Sequence, residues 1–217
     1  MIDSSSEDAI FAIEEKKQWD SCDYETLIRL SYSDYPLIRI KVARLCAYEK
    51  DVRTKNILLR LINDSDGNVR TEVYDSLSAY KESEVSAYLK KIIKEEPDGI
   101  AKSYAILSWI DILISLTQIS NDEIDFLIDI LESSNDSSCA LSCCYGLYLF
   151  GVEEYLLEMG KYLKNEDYHI RCSAINLLRE VKNAKNRPAI KRMMLELLED
   201  EESLVVIDFA ERLLEIL

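Results

Sequence analysis

The chain is poor both in residues that interrupt regular structure and in residues that usually carry chemistry. Only 5 of its 217 residues are Gly and 3 are Pro. That is too few turn formers for an all-β fold and fits long helices with short connections. It has one histidine, His169, so a Ser-His-Asp or Cys-His site has a single candidate base. His169 lies between Tyr168 and Ile170 at an expected helix start, which fits a surface residue. There is no Gly-rich phosphate loop and no G-x-S-x-G. The six cysteines (Cys22, Cys46, Cys139, Cys143, Cys144 and Cys172) contain no C-x-x-C pair and no zinc-finger spacing. Cys46, Cys139, Cys143 and Cys172 fall within apolar helical patterns and read as small buried thiols, which suits a reducing cytoplasm. Neither the acids at Asp122, Glu123, Asp125 and Asp129 nor those at Glu199 to Glu202 have calcium-loop spacing. Metal and cofactor sites are therefore not expected.

Basic residues are also scarce. There are 26 Lys and Arg against 41 Asp and Glu, a net charge of −15. Phosphate backbones repel such a surface, so no nucleic-acid partner is expected, whereas a basic protein is favoured. The N-terminal segment has no basic region and no apolar core, so it does not read as a secretory leader. The apolar runs 104–119, broken by Asp111, and 139–151 are both shorter than the roughly 20 residues of a membrane span and read as buried helices.

What the sequence does have is a period. With Val69 as the reference, equivalent apolar anchors fall at Ile38, Val69, Ile100, Cys139, Ile170 and Val206. The spacings are 31, 31, 39, 31 and 36 residues. Apolar or small residues at +4 and +8 from each anchor trace one helix face. An acid precedes each anchor (Asp34, Asp66, Asp98, Asp136, Asp167 and Glu202), suited to capping a helix start. Arg39, Arg70 and Arg171 follow three of the anchors; Ala101, Ala140 and Ile207 follow the others. Further helical stretches are read between the anchored ones, at 52–62, 82–95, 122–131, 152–163 and 188–198, with Pro188 suited to a first turn. A helix pair of this kind cannot bury its own apolar stripe, but stacked pairs can.

The acid–x–x–(Val/Ile)–Arg–x–x–(Val/Ala) pattern, clearest at Asp66 to Val73 and at Asp167, Ile170, Arg171 and Ala174, resembles the HEAT-repeat family. Repeats near 31 residues resemble its phycobilin-lyase-like bacterial variant. The resemblance covers roughly residues 22 to 217 and departs from the pattern at Ala101, Ala140 and Ile207. It implies an all-α, right-handed solenoid of about six helix pairs, forming one domain over residues 1–217 with 1–21 as a capping helix. It carries no activity. HEAT-like deoxyhypusine hydroxylases hold iron through His-Glu pairs, and this chain has no His-Glu dipeptide. HEAT-like alkylpurine glycosylases use a basic concave face, and the charge here is of the wrong sign.

In the family the second helix of each pair lines the concave surface. Positions opposite the core there give Asp75, Ile106, Trp109, Leu141, Tyr145, Tyr148, Asn176 and Arg179. No Lys or Arg occurs between Lys102 and Lys161, a window of net charge −10 that includes Asp111. Aromatics flanked by acids resemble a protein-binding hot spot. The expected function is a non-catalytic, monomeric, cytoplasmic scaffold. Its partner surface (Asp75, Ile106, Trp109, Asp111, Leu141, Tyr145, Tyr148 and Arg179) would bind a basic protein, for instance as an immunity protein or antagonist. The alternative is a cofactor-lyase-like or other enzyme-accessory protein, for which Cys144 or Cys172 is the candidate thiol.

Overall fold

Helix starts in this chain are fixed by aspartates. Asp20, Asp51, Asp66, Asp98, Asp136 and Asp167 each adopt an extended conformation before a helix and accept hydrogen bonds from its first amides. A computed structural model describes residues 4–217; residues 1–3, part of the segment read above as lacking a leader, lie outside the described residues. Among the described residues there are thirteen α-helices and no strand: α1 (Ser4–Glu14), α2 (Ser21–Leu30), α3 (Pro36–Cys46), α4 (Val52–Leu61), α5 (Gly67–Leu77), α6 (Ser83–Glu95), α7 (Gly99–Leu116), α8 (Asn121–Ser133), α9 (Ser137–Leu149), α10 (Tyr155–Lys161), α11 (Tyr168–Glu180), α12 (Arg187–Asp200) and α13 (Leu204–Glu215), with a 3-10 turn Tyr162–Lys164 after α10. After α1 the chain is six helix pairs in sequence, an all-α repeat architecture.

The chain forms two compact units, one running to Gln118 and the other Ile119–Leu217. In the first unit the second helices α3, α5 and α7 pack side by side, with α4 and α6 against them. In the second unit α9, α11 and α13 do the same, with α8, α10 and α12 alongside. Among the described residues one helix, α7, is long and apolar enough to cross a membrane, with a mean hydropathy of 1.4 over 18 residues, half of them buried. It packs against α5 and α6, where Ala105, Ile106, Trp109 and Ile112 fill the core.

The anchors lie three residues after each helix-capping position, and this corrects the register of the third repeat. Ile38, Val69, Cys139 and Val206 are fully buried, but Ile100 is 59% exposed while Ala101 is 0% exposed. Asp98 caps α7 by accepting from the Ala101 amide, so Ala101 takes the anchor slot, Ala105 the +4 slot and Trp109 the +8 slot held elsewhere by Leu77, Leu147 and Leu178. Two small residues make room for one large one, and the apolar Ile100 conceals this from a hydrophobicity pattern. Asp34 and Glu202 do not cap; the capping positions there are Tyr35 and Ser203, without a side-chain bond.

The three arginines are clamps between repeats. Arg70 donates from Nε and Nη2 to the Glu96 carboxylate at 2.9 and 2.7 Å, and from Nη1 to the Asp64 carbonyl at 2.9 Å. Arg39 binds Asp64 and the Ser33 carbonyl in the same way, and Arg171 binds Glu201 and the Asn165 carbonyl. Each acid also accepts the amide two residues further on, that of Asp66, Asp98 or Ser203, at the next capping position. One guanidinium thus ties its own loop to the start of the following repeat's second helix. Bidentate geometry of this kind gives strong charge-assisted bonds.

Burial alone would raise the Glu96 and Asp64 carboxyls, but their arginine partners and amide bonds outweigh it and hold both low. Arg171 holds Glu201 low in the same way. A carboxyl with a depressed folded-state pKa stabilises the fold above its unfolded value, and that stability is lost as pH falls through the folded value. Chemical denaturation is therefore expected to show stability level from neutral pH down to about pH 5 and falling progressively below about pH 4. A variant with Glu96→Leu and Arg70→Met would show a shallower fall.

Candidate interaction surface

The eight residues expected to form a partner surface divide by burial. Ile106, Trp109 and Leu141 are core residues, Trp109 being 1% exposed. Leu141 belongs to the second unit's core with Met159, Ile170 and Ile175, and Tyr145 and Tyr148 pack half-buried against that core. The Tyr148 hydroxyl accepts from Asn186 Nδ2 at 2.8 Å. The expected aromatic hot spot is thus a set of packing residues. An anchor at Ile100 puts Trp109 opposite the core, whereas the observed anchor at Ala101 puts it at +8, inside.

Three of the eight are exposed: Asp75, Asp111 and Arg179. Asp111 is paired with Lys81, and Arg179 approaches its neighbour Glu180 at 3.4 Å. Asp75 is open to solvent, yet surrounding protein, and then the Glu72 carboxylate, push its carboxyl up. Arg44, nearby, is bound in a bidentate pair to Glu72.

The acidic window resolves into different roles once its acids are placed. Asp111, Glu153 and Glu158 are paired with Lys81, Lys185 and Lys161, all outside the window. Asp136 caps α9, and Glu123 forms the capping box of α8 with Ser120. What remains is concentrated on α8. Asp122, Asp125, Asp129 and Glu132 are all exposed, and no basic side chain pairs with them among the described residues. Their spacing of 3, 4 and 3 places them on one stripe of the helix.

That stripe is locally unfavourable. Like charges three and four residues apart repel. Asp129 and Glu132 also face the negative end of the helix dipole, and the last turn of α8 holds no basic residue. Beside the stripe, Ile124, Ile128 and Ile130 are only half-buried; Phe126 and Leu127 are the buried residues of the helix. The sequence held this signal in the spacing of the acids. It falls outside the expected surface because that surface lies on the second helix of each pair, whereas α8 is the first of its pair.

The thiols and clefts offer less. Cys46 and Cys144 are buried, which pushes each thiol up to about 12, and burial also raises Cys172. These thiols are protonated at neutral pH and poor nucleophiles. No disulfide joins any of the six cysteines, and Cys22 alone is exposed. Open clefts of about 590, 320 and 630 Å³ lie over Arg39, Arg70 and Arg171. Their guanidinium groups are already committed to carboxylates and carbonyls, so none offers a site for an anion.

Residues 25–109 match the family model for HEAT repeats. No curated protein matches. Among solved structures, the chain is similar to the complex of CpcE and CpcF of phycocyanin lyase from Nostoc sp. PCC7120, at 17% identity and TM-score 0.59, covering 98% of this chain and 88% of that one. It also aligns with the archaeal HEAT-like repeats protein from Thermococcus onnurineus NA1, at 14% identity and TM-score 0.46, covering 99% and 92%. Human deoxyhypusine hydroxylase aligns at 16% identity and TM-score 0.40, covering 98% and 97%. The chain has a HEAT-like helical-repeat fold, and its residues 25–109 match the model for HEAT repeats.

Proposed function

We propose that the chain is a non-catalytic scaffold that holds a basic protein partner against α8. The observation that carries this reading is the row of four exposed carboxylates, Asp122, Asp125, Asp129 and Glu132, left without a basic partner, which repel one another along α8 and of which Asp129 and Glu132 oppose its dipole. A partner's lysines or arginines would relieve that repulsion, and the half-buried isoleucines beside the row would add apolar contact. An antagonist that masks a basic protein is one form of such a scaffold. The enzyme-accessory alternative draws no support from the thiols, since both Cys144 and Cys172 are held protonated.

The test is fluorescence anisotropy with a labelled lysine-rich helical peptide. Neutralising the row (Asp122→Asn, Asp125→Asn, Asp129→Asn, Glu132→Gln) is expected to weaken binding about tenfold or more, and added salt to weaken wild-type binding. A control neutralises Glu196, Glu199, Asp200 and Glu202, the same change in net charge at another acidic cluster. It is expected to lose no more than about threefold. Equal losses in the two variants would show that only the overall field attracts the peptide, and the reading would fall.

A further inference from the structure

The capping positions reveal a rule within this one chain. The residue two before the capping position is Asp64, Glu96, Ser134, Asn165 or Glu201 in successive repeats. The residue after the preceding anchor is Arg39, Arg70, Lys102, Ala140 or Arg171. A carboxylate stands in the first slot only where an arginine stands in the second. Within the second unit the α11–α13 joint is therefore clamped by Arg171 and Glu201, while the α9–α11 joint is not. In its place Asn165 Nδ2 donates to Ser137 Oγ at 3.1 Å, and Asn165 Oδ1 accepts the Asp167 amide. At this end of the joint one neutral bond takes the place of the two charge-assisted bonds of the clamp, while Tyr148–Asn186 and the Lys185–Glu153 ion pair cross at the other end.

We infer that the α9–α11 joint is the compliant joint of the second unit, opening at its Ser137–Asn165 end while the Tyr148–Asn186 hydrogen bond holds the other end. Such an opening exposes what α9 buries against α11. Cys144 lies in the second unit's core cluster beside Tyr162, whose 3-10 turn runs directly into Asn165, so separating Asn165 from Ser137 opens the surroundings of this thiol. Cys46, in contrast, lies on α3, whose joint to α5 is clamped by Arg39 and Asp64. The two thiols are equally well hidden, at 2% and 0% exposed, so the opening of their surroundings, not resting exposure, sets how fast each reacts.

The test is maleimide labelling of the native wild-type protein, read residue by residue by mass spectrometry. Cys144 is expected to label at least about tenfold faster than Cys46, since one lost charge-assisted bond corresponds to about that factor in an opening equilibrium. Grafting the clamp with Ala140→Arg and Asn165→Glu together is expected to slow Cys144 about tenfold and leave Cys46 unchanged. Either substitution alone should not slow it. Equal labelling of Cys144 and Cys46 in the wild type would overturn the inference, as would a folded double variant in which Cys144 reacts as before. If the graft does not fold, the wild-type comparison decides alone.

Discussion

Replacing Arg70 by alanine is expected to remove about 3–5 kcal/mol of folding stability, because it strands the Glu96 carboxylate in the interior. With the guanidinium in place the Glu96 side chain is only 2% exposed. It accepts from Arg70 at two points, from the Tyr74 hydroxyl at 2.6 Å and from the Asp98 amide at 3.0 Å. Losing the guanidinium leaves the charge with two neutral donors, and Glu96 must then take up a proton, open its loop or draw water in from the cleft over Arg70. Urea denaturation would measure the loss. Arg44→Ala provides the contrast: Arg44 is also bidentate, to Glu72, but its side chain is 59% exposed, so water replaces the partner and the cost stays within about 1 kcal/mol. The pair Arg70→Met with Glu96→Leu is expected to recover most of the loss, since a buried ion pair replaced by packed apolar groups is often nearly neutral. An Arg70→Ala protein as stable as wild type would show that the clamp does not hold the repeats.

Trp109→Ala is the other large effect, again about 3–5 kcal/mol. The indole fills the +8 slot of α7 over Ala101 and Ala105, and neither alanine can grow into the space it leaves. Trp109→Phe is expected to cost less, because part of the volume is kept. This separates packing from partner recognition. A binding hot spot would lose affinity at unchanged stability, whereas a core tryptophan loses stability first, as thermal or urea unfolding would show.

Much of this was written in the sequence. The capping aspartates and the apolar positions at 0, +4 and +8 both depend on local chain geometry, which is why five of the six anchors and nearly every helix could be placed from residues alone. The third anchor could not, because alanine and isoleucine at positions 101 and 100 exchange their usual signals when a large residue at +8 needs small neighbours. The partners of the arginines were also hidden. Arg70 and Glu96 stand 26 residues apart, and only stacking of consecutive repeats brings a loop acid to a helix arginine. The acidic stripe was legible as spacing. Which of the carboxylates in the window stay unpaired was not, because Lys81 and Lys185 reach Asp111 and Glu153 from more than 29 residues away.

The reading of α8 as the contact surface is tested most directly by nuclear magnetic resonance titration of the labelled protein with the lysine-rich helical peptide. The account predicts amide shift changes centred on residues 121–133, saturating with the affinity seen by anisotropy. Changes centred instead on Asp75 and Asp111, or spread evenly over the acidic surface, would contradict it.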